Sequence, residues 1–469
     1  MNIHVGDNWR LEANKARAAA FILVFAAVGS VLLFATHAAT PGTGSVQAES
    51  GSRSSGASVV ADAAASDGQA VKFAASSSGG GGSGGSSGGS TDSGPSGSAS
   101  PSGSTYGNHA LAQWATAIDN RSSKPATWVI WGDSVSEGQG SSTVAGRWAN
   151  QTLNGLRNKY SVSGVTGGFG YIPAFYGTYG PDSQWSTDPT LSGNASWNIA
   201  KDDGNDGQQF GNGAGLGMLT VTLKSGGSDT FRVTGTSIDI LYNYGSGTFG
   251  YKVDSGGTTN VSASGGSGAT GSKHVAFSSG GSHTVTISGV SGSVVLEGIM
   301  TYNGDENKGI HLYDGAQSGT TSGDFAAQAA NMAAITASVK ADLVTIEIGG
   351  NDYNRSSGPP SQTTANIKAM VNDIRSAGKA VGHVPSIVIV IVYPISGGND
   401  SFGYSDSAYN AAIKSVATDD PTLGFLDFTS FGATAGQPNP LLSSYDDSHP
   451  SNAGQTKLAT MVESYLEVK

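Results

Sequence analysis

Cysteine is absent from the sequence. That excludes a disulfide framework, a thiolate zinc site and a cysteine nucleophile. Positive charge is scarce as well: 24 Lys and Arg stand against 35 Asp and Glu, a formal net charge of −11. No nucleic-acid footprint is expected from that balance. The acidic loop Asp202-Asp203-Gly204-Asn205-Asp206-Gly207 lacks the distal Glu of an EF-hand, so no metal is assigned to it, and no cofactor is expected. Large apolar residues are nearly missing between Thr40 and Thr105, where Ser, Gly, Ala and Pro dominate. Such a segment cannot offset the entropy of ordering it and reads as a flexible tether. Gly81-Gly82-Ser83-Gly84-Gly85 within it fits G-x-S-x-G but has no strand or helix around it, so it is given no weight.

Charge is missing from Ala18 to Ala35, an apolar run near the length that spans a bilayer. Arg10, Lys15 and Arg17 precede it, and the next charged residue is Glu49. The positive flank places the N-terminus in the cytoplasm and the bulk of the chain outside. An uncleaved anchor is expected; the alternative is a signal peptide cut near Thr36-His37-Ala38.

Order returns at Tyr106. Leu111, Trp114, Ala115 and Ile118 form a helical stripe. The run Trp128-Val129-Ile130-Trp131 then ends abruptly in Gly132-Asp133-Ser134-Val135-Ser136, ahead of an amphipathic helix from Arg147 to Tyr160. A buried parallel strand delivers a side chain to the carboxyl edge of a sheet in this way, so Ser134 is placed like a nucleophile. Further strands are expected at Gly309–Tyr313, Asp342–Ile348, Ser386–Tyr393 and Gly424–Asp427. They alternate with helices near Phe325–Val339, Thr364–Arg375, Asp406–Thr418 and Asn452–Glu467. The pattern predicts an α/β fold, a three-layer α/β/α sheet of flavodoxin-like type with five parallel strands.

Between Gly217 and Tyr302 the apolar period changes to two, with Gly/Ser clusters between short runs, as in an inserted antiparallel β-sandwich. Gly245-x-Gly247-x-x-Gly250 formally matches a dinucleotide fingerprint, but no helix follows, so a hairpin is expected. The expected organisation is a membrane or signal segment (1–39), a linker (40–105), a first α/β part (106–180), the β insertion (181–307) and a second α/β part (308–469).

A serine nucleophile needs a base, an orienter for the base and an oxyanion hole. Asp446-Asp447-Ser448-His449-Pro450 precedes the last helix, and its Asp-x-x-His spacing lets Asp446 fold back on the His449 imidazole. Asp447 is the adjacent rival to Asp446. Gly349-Gly350-Asn351-Asp352 ends one strand and can aim the Asn351 amide at the same edge. Gly315-Ala316-Gln317-Ser318-Gly319-Thr320 follows another and can present backbone N–H groups. These blocks, in this order, resemble the SGNH (GDSL) hydrolase family from about Tyr106 to Lys469. The resemblance implies Ser134, His449 and Asp446 as the catalytic residues. It also implies an oxyanion hole from the Ser134 and Gly319 N–H groups with Asn351; Gly315 is the rival to Gly319. Asp133 and Asp352 are expected to hold loops rather than do chemistry.

Tyr171, Tyr176 and Trp185 belong to an aromatic cluster suited to stacking on sugar rings. The function expected is a serine esterase outside the cytoplasm, acting on O-acetylated carbohydrate. A lipase or phospholipase is the alternative within the same chemistry, and a non-catalytic carbohydrate-binding surface protein is the alternative outside it. The expected partners are an ester substrate, by preference acetylated polysaccharide, and the membrane through the N-terminal helix.

Overall fold

In the computed structural model of the protein, the described residues are 57–61, 69–73, 109–175, 189–202, 209–211, 215–264, 270–391, 401–431, 439–442 and 448–468. The chain divides into two units, Met1–Thr91 and Asp92–Lys469. In the first, Ala57–Ala61 and Gln69–Phe73 pair as antiparallel strands. This is a local departure from the tether expected over 40–105: Val-Val and Val-Lys-Phe supply β-favouring residues that the surrounding Ser and Gly do not. The apolar run Ala18–Ala35 lies outside the described residues. Among those described, no helix is long and apolar enough to cross a membrane.

The second unit opens with α1 (Ala112–Asn120) and β1 (Ala126–Gly132), then turns through α2 (Ser134–Glu137) into α3 (Trp148–Lys159). Seven strands of one further sheet follow: β2 (Val165–Pro173), β3 (Thr190–Trp197), β4 (Val221–Asn243), β5 (Thr248–Val253), β6 (Thr259–Ser262), β7 (Thr270–Ser291) and β8 (Ser293–Gly304); between β3 and β4 the short strands Ile199–Asp202 and Gln209–Gly211 pair only with each other. The chain then resumes alternation with β9 (Ile310–Asp314), α4 (Ser322–Ser338), β10 (Leu343–Glu347), α5 (Gly350–Asn354) and α6 (Pro360–Ala380). It ends with β11 (Ser386–Ile391), α7 (Asp406–Thr418), β12 (Gly424–Asp427) and α8 (Asn452–Leu466).

Strands β9-β1-β10-β11-β12 form a five-stranded sheet in which every pair is parallel. In chain order that is 2-1-3-4-5, the flavodoxin-like arrangement, whose ligand crevice lies at the carboxyl ends beside the first strand. Alternation along each strand splits the core into two faces. Trp128 and Ile130 pack with Leu153 and Leu156 of α3 and Leu458 and Val462 of α8. Val129 and Trp131 pack with Phe325 and Met332 of α4 and Ile367 and Met370 of α6. Every residue of β11 is buried, as its unbroken apolar run requires. The three layers are therefore helix, sheet and helix.

Strands β2 to β8 form a separate seven-stranded sheet in the order β6-β5-β7-β4-β8-β2, with β3 also on β4. Pairing is antiparallel for β6 with β5, for β7 with β5 and with β4, for β8 with β2 and for β3 with β4. Strand β8 pairs with both ends of β4, Val294 beside Leu223 and Ile299 beside Ile240. The sheet thus closes around its own core of Leu223, Phe231, Ile240, Phe249 and Ile287. A separate, mainly antiparallel insertion is present as expected, its seven strands joined in one curled sheet. Residues 165–173, counted from sequence with the first α/β part, belong to this sheet through pairing with β8. Gly245–Gly250 joins β4 to β5 without a helix, and β7 lies between the two strands, so the glycines form a connection and not a closed hairpin.

Candidate active site

Strand β1 ends at Gly132, and the chain turns so sharply that Ser134 begins α2. Asp133 caps that turn, its Oδ1 accepting from the Val135 N–H at 3.0 Å. Ser134 is left largely buried at the carboxyl edge, with 7% of its surface accessible. His449 comes from the loop before α8, and its Nε2 lies 2.8 Å from Ser134 Oγ. That is hydrogen-bond distance between a hydroxyl and an imidazole, the arrangement in which the ring can take the hydroxyl proton. Asp446 and Asp447 lie outside the described residues.

The His449 loop is fastened to the nucleophile loop by Gln455, fully buried in the first turns of α8. Its Nε2 donates to the carbonyls of Gly138 (3.2 Å), Gln139 (3.1 Å) and Pro450 (3.3 Å), and its Oε1 accepts from the Trp148 N–H at 2.8 Å. Gly140 explains the closeness of the two loops. Its φ is +89°, and a Cβ there would meet the Pro450 carbonyl oxygen at 2.5 Å. Asn452 adds a second tie through the Ser142 N–H at 3.0 Å.

Asn351 stands at the start of α5, where its Nδ2 donates to Asp133 Oδ2 at 3.2 Å and to the Thr320 carbonyl at 3.1 Å. Both partners are acceptors, which settles the amide orientation. Asn351 therefore bridges the turn that carries Ser134 and the loop that carries Gly319. That loop is set by its own ties to the nucleophile segment. The Gln317 N–H reaches the Gly132 carbonyl at 2.9 Å, the Ser318 N–H reaches Glu137 Oε2 at 2.6 Å, and Ser318 Oγ reaches Gln139 Oε1 at 2.9 Å. Gly319 itself takes φ +78°, a left-handed conformation open to glycine at little cost. Gly315, its rival, instead ties back to strand β1 through the Ile130 carbonyl at 2.9 Å.

Asp352 faces away from this centre and holds the start of α4. Its Oδ1 accepts from Ser322 Oγ (2.5 Å) and Thr363 Oγ1 (3.0 Å), and its Oδ2 from the Ser322 N–H (2.8 Å). Behind Asp133 lies Glu347, the last residue of β10 and fully buried. Its Oε2 accepts from the Ser136 N–H at 3.1 Å, and its carboxyl lies against that of Asp133. Burial pushes the Asp133 carboxyl up to about 6, partly offset by the Val135 N–H and the nearby His449. Burial, with the Asp133 charge beside it, raises the Glu347 carboxyl well above the usual range.

Tyr171, singled out for sugar contact, is a core residue. It is 1% exposed, donates to the Glu297 carbonyl at 2.6 Å, and stacks on Tyr313 with ring centroids 6.0 Å apart. A bulky aromatic on an inward position of β2 gains more from burial than it would from solvent. Tyr176 and Trp185 lie outside the described residues. The curled sheet reaches the site through Leu216–Met218: a Cβ on Gly217 would meet the Gly315 carbonyl oxygen at 2.8 Å, so the two backbones are in close contact. Glu137, Glu347 and Gln455 were not foreseen.

Residues 284–457 match a family model described as the GDSL-like Lipase/Acylhydrolase family, a span that holds Gly319, Asn351 and His449. A search of curated proteins returns no match. Among solved structures, one titled as a peptidoglycan O-acetylesterase aligns at a TM-score of 0.52 and 16% identity, covering 77% of this chain and 96% of that one. A family two carbohydrate esterase from Clostridium thermocellum aligns at a TM-score of 0.27 and 13% identity, covering 57% and 97%. One of the same family from Cellvibrio japonicus aligns at 0.24 and 12%, covering 60% and 99%. The first of these likenesses establishes a shared fold. With the GDSL-like lipase/acylhydrolase match over residues 284–457, which hold the second half of the site, and with Ser134 paired with His449, the site is that of a serine hydrolase of carboxylic esters.

Proposed function

We propose that the protein is an esterase acting outside the cytoplasm that removes O-acetyl groups from carbohydrate through an acyl-enzyme. The 2.8 Å contact between Ser134 Oγ and His449 Nε2 carries the reading. Ser134 attacks the ester carbonyl as His449 takes its proton. The imidazolium, oriented by Asp446, then returns that proton to the leaving alkoxide. Water, deprotonated by His449, hydrolyses the acyl-enzyme and restores the serine. The developing oxyanion is received by the Ser134 and Gly319 N–H groups and by Asn351 Nδ2. Both Asn351 N–H groups are already engaged at 3.1 and 3.2 Å. These are long bonds, and a full negative charge is a better acceptor than either present partner. The tetrahedral intermediate therefore draws one of them over, and the gain is made in the transition state only.

The substrate class rests on two supports. The apolar run with its positive flank points to an exterior location. The fold is shared with a protein titled as a peptidoglycan O-acetylesterase over 77% of the chain, more than the α/β elements alone supply, so the curled sheet takes part in the likeness. The test is acyl-chain profiling of the purified protein on p-nitrophenyl esters beside acetate release from O-acetylated peptidoglycan and other acetylated polysaccharides. A strong preference for acetyl with release from polymer is expected. Preference for long acyl chains would make the enzyme a lipase, and no turnover of any ester would leave only a carbohydrate-binding role.

A further inference from the structure

Two buried carboxyls in contact directly behind a nucleophile pose a problem of charge. Glu347 and Gly132 are register partners on β10 and β1, which sets the Glu347 carboxyl under the turn that Asp133 caps. Both side chains are shut away from solvent, at 0% and 1% exposure. Two negative charges cannot share such a place, so the pair must hold a proton. The hydrogen bonds say which member holds it. Asp133 is satisfied as an anion: Oδ1 accepts from Val135 and Oδ2 from Asn351. Glu347 is not. Its Oε2 accepts from the Ser136 N–H, and although the Asp133 N–H and the Ser136 hydroxyl also bear on the carboxyl, no donor meets the buried Oε1 in hydrogen-bond geometry. A buried carboxyl oxygen that finds no donor, beside a carboxylate that can accept, is explained if it carries the hydrogen.

We propose that Glu347 is a positioning residue that stands as a neutral carboxylic acid, donating from Oε1 to Asp133 and so keeping Asp133 the anionic acceptor that holds the Asn351 amide. The proposal rests on Asn351 as an oxyanion donor. The other groups whose charge acts on Asp133 are His449, from the loop before α8, and Asp352 on α5. His449, when it becomes an imidazolium during turnover, favours the Asp133 anion; Asp352 opposes it. The neutral acid at Glu347 supplies a hydrogen bond without adding a second negative charge beneath the oxyanion hole. Burial raises both carboxyls, as two acids that share a proton require.

Glu347→Gln and Glu347→Leu separate the possibilities. Glutamine retains a donor for Asp133 and an acceptor for the Ser136 N–H but can never be an anion; leucine retains neither. Glu347→Gln is expected to keep kcat within about threefold of the parent across the pH range. Glu347→Leu is expected to lose about 10²-fold in kcat with little change in KM, the scale of a misplaced catalytic group. Its acid limb should also move to higher pH, because Asp133 without its donor ionises later. Infrared difference spectroscopy between the parent protein and Glu347→Gln at pH 7 reads the proton itself, whatever the activity. A protonated-carboxyl carbonyl stretch present in the parent and lost in the variant is expected. Its absence from the parent, or a Glu347→Gln variant as inactive as Glu347→Leu, would overturn the proposal. Should Glu347→Leu not fold, the spectrum and the glutamine variant still decide. The parent's turnover of acetyl esters tests the underlying reading separately.

Discussion

Ser134 and His449 meet although 315 residues separate them, and each is useless alone. Removing the nucleophile collapses the unit, so Ser134→Ala is expected to lower kcat by about 10⁴–10⁶. Asn351→Ala removes one donor of several and should cost about 10²–10³. Steady-state kinetics on p-nitrophenyl acetate check both, and near-normal turnover by Ser134→Ala would end the assignment. Ser134 and Asn351 stood out in the sequence because each stands where an apolar run breaks at a turn, Gly132-Asp133-Ser134 and Gly349-Gly350-Asn351, and His449 stood out by its Asp-x-x-His frame. A strand end is a local signal. Glu137, Glu347 and Gln455 carry none, since what defines them is a partner 181, 211 and 317 residues away. Nothing in the neighbourhood of Gln455 distinguishes it from an exposed helical glutamine until α8 docks on α3. Tyr171 shows the converse, an aromatic whose surroundings suggested a ligand and whose pleat position instead turned it into the core.

At the scale of elements, the α/β part followed the text closely because a strand buried on both faces is an unbroken apolar run and its helices are amphipathic. The inserted sheet was read less well. Between Gly217 and Tyr302 it read as short runs divided by Gly/Ser clusters, yet Val221–Asn243 is one strand. Gly227 stays in the ladder opposite Gly193, where missing side chains let two backbones approach. A glycine pair of this kind is indistinguishable from a turn in one dimension. The joint between α8 and the nucleophile loop is where an element's placement becomes function. Gln455→Leu would leave the Trp148 N–H and three carbonyls without their buried partner, at a cost of about 1–3 kcal/mol for each group left unsatisfied. It would also release the His449 loop from Gly138 and Gln139. A loss of stability together with about a 10²-fold fall in kcat is therefore expected, the latter from a small displacement of the base. Rates of labelling by a phosphonate ester should fall in step with kcat; unchanged labelling would mean that α8 holds the loop without this side chain.

For the whole molecule the buried carboxyls lean one way. Asp133, Asp229, Asp314, Asp352, Glu297 and Glu347 are all raised, each chiefly by burial. The lowered ones, Asp254, Asp305 and Asp420, are exposed or mostly so and are screened by solvent. A carboxyl whose folded value is raised binds its proton more tightly in the folded protein than in the unfolded chain. Its stabilising share is complete below the unfolded value and is lost as pH rises to the folded one. Glu297 offers the clearest window, since burial raises it from 4.5 to about 8. It sits where the curled sheet joins the hydrolase sheet. Its carboxyl meets Asn243 Nδ2 at 2.5 Å and Thr270 Oγ1 at 3.1 Å, and its backbone carbonyl holds the Tyr171 hydroxyl, whose ring lies on Tyr313 of β9. Deprotonation there charges a buried joint between the two sheets. The melting temperature is therefore expected to fall between pH 5 and about 8, and Glu297→Gln should flatten that slope by fixing the side chain in its neutral form. The variant should match the parent near pH 4.5 and exceed it near pH 8. A parent whose melting temperature climbs through this interval, or a variant with the parent's slope, would show that the joint tolerates the charge.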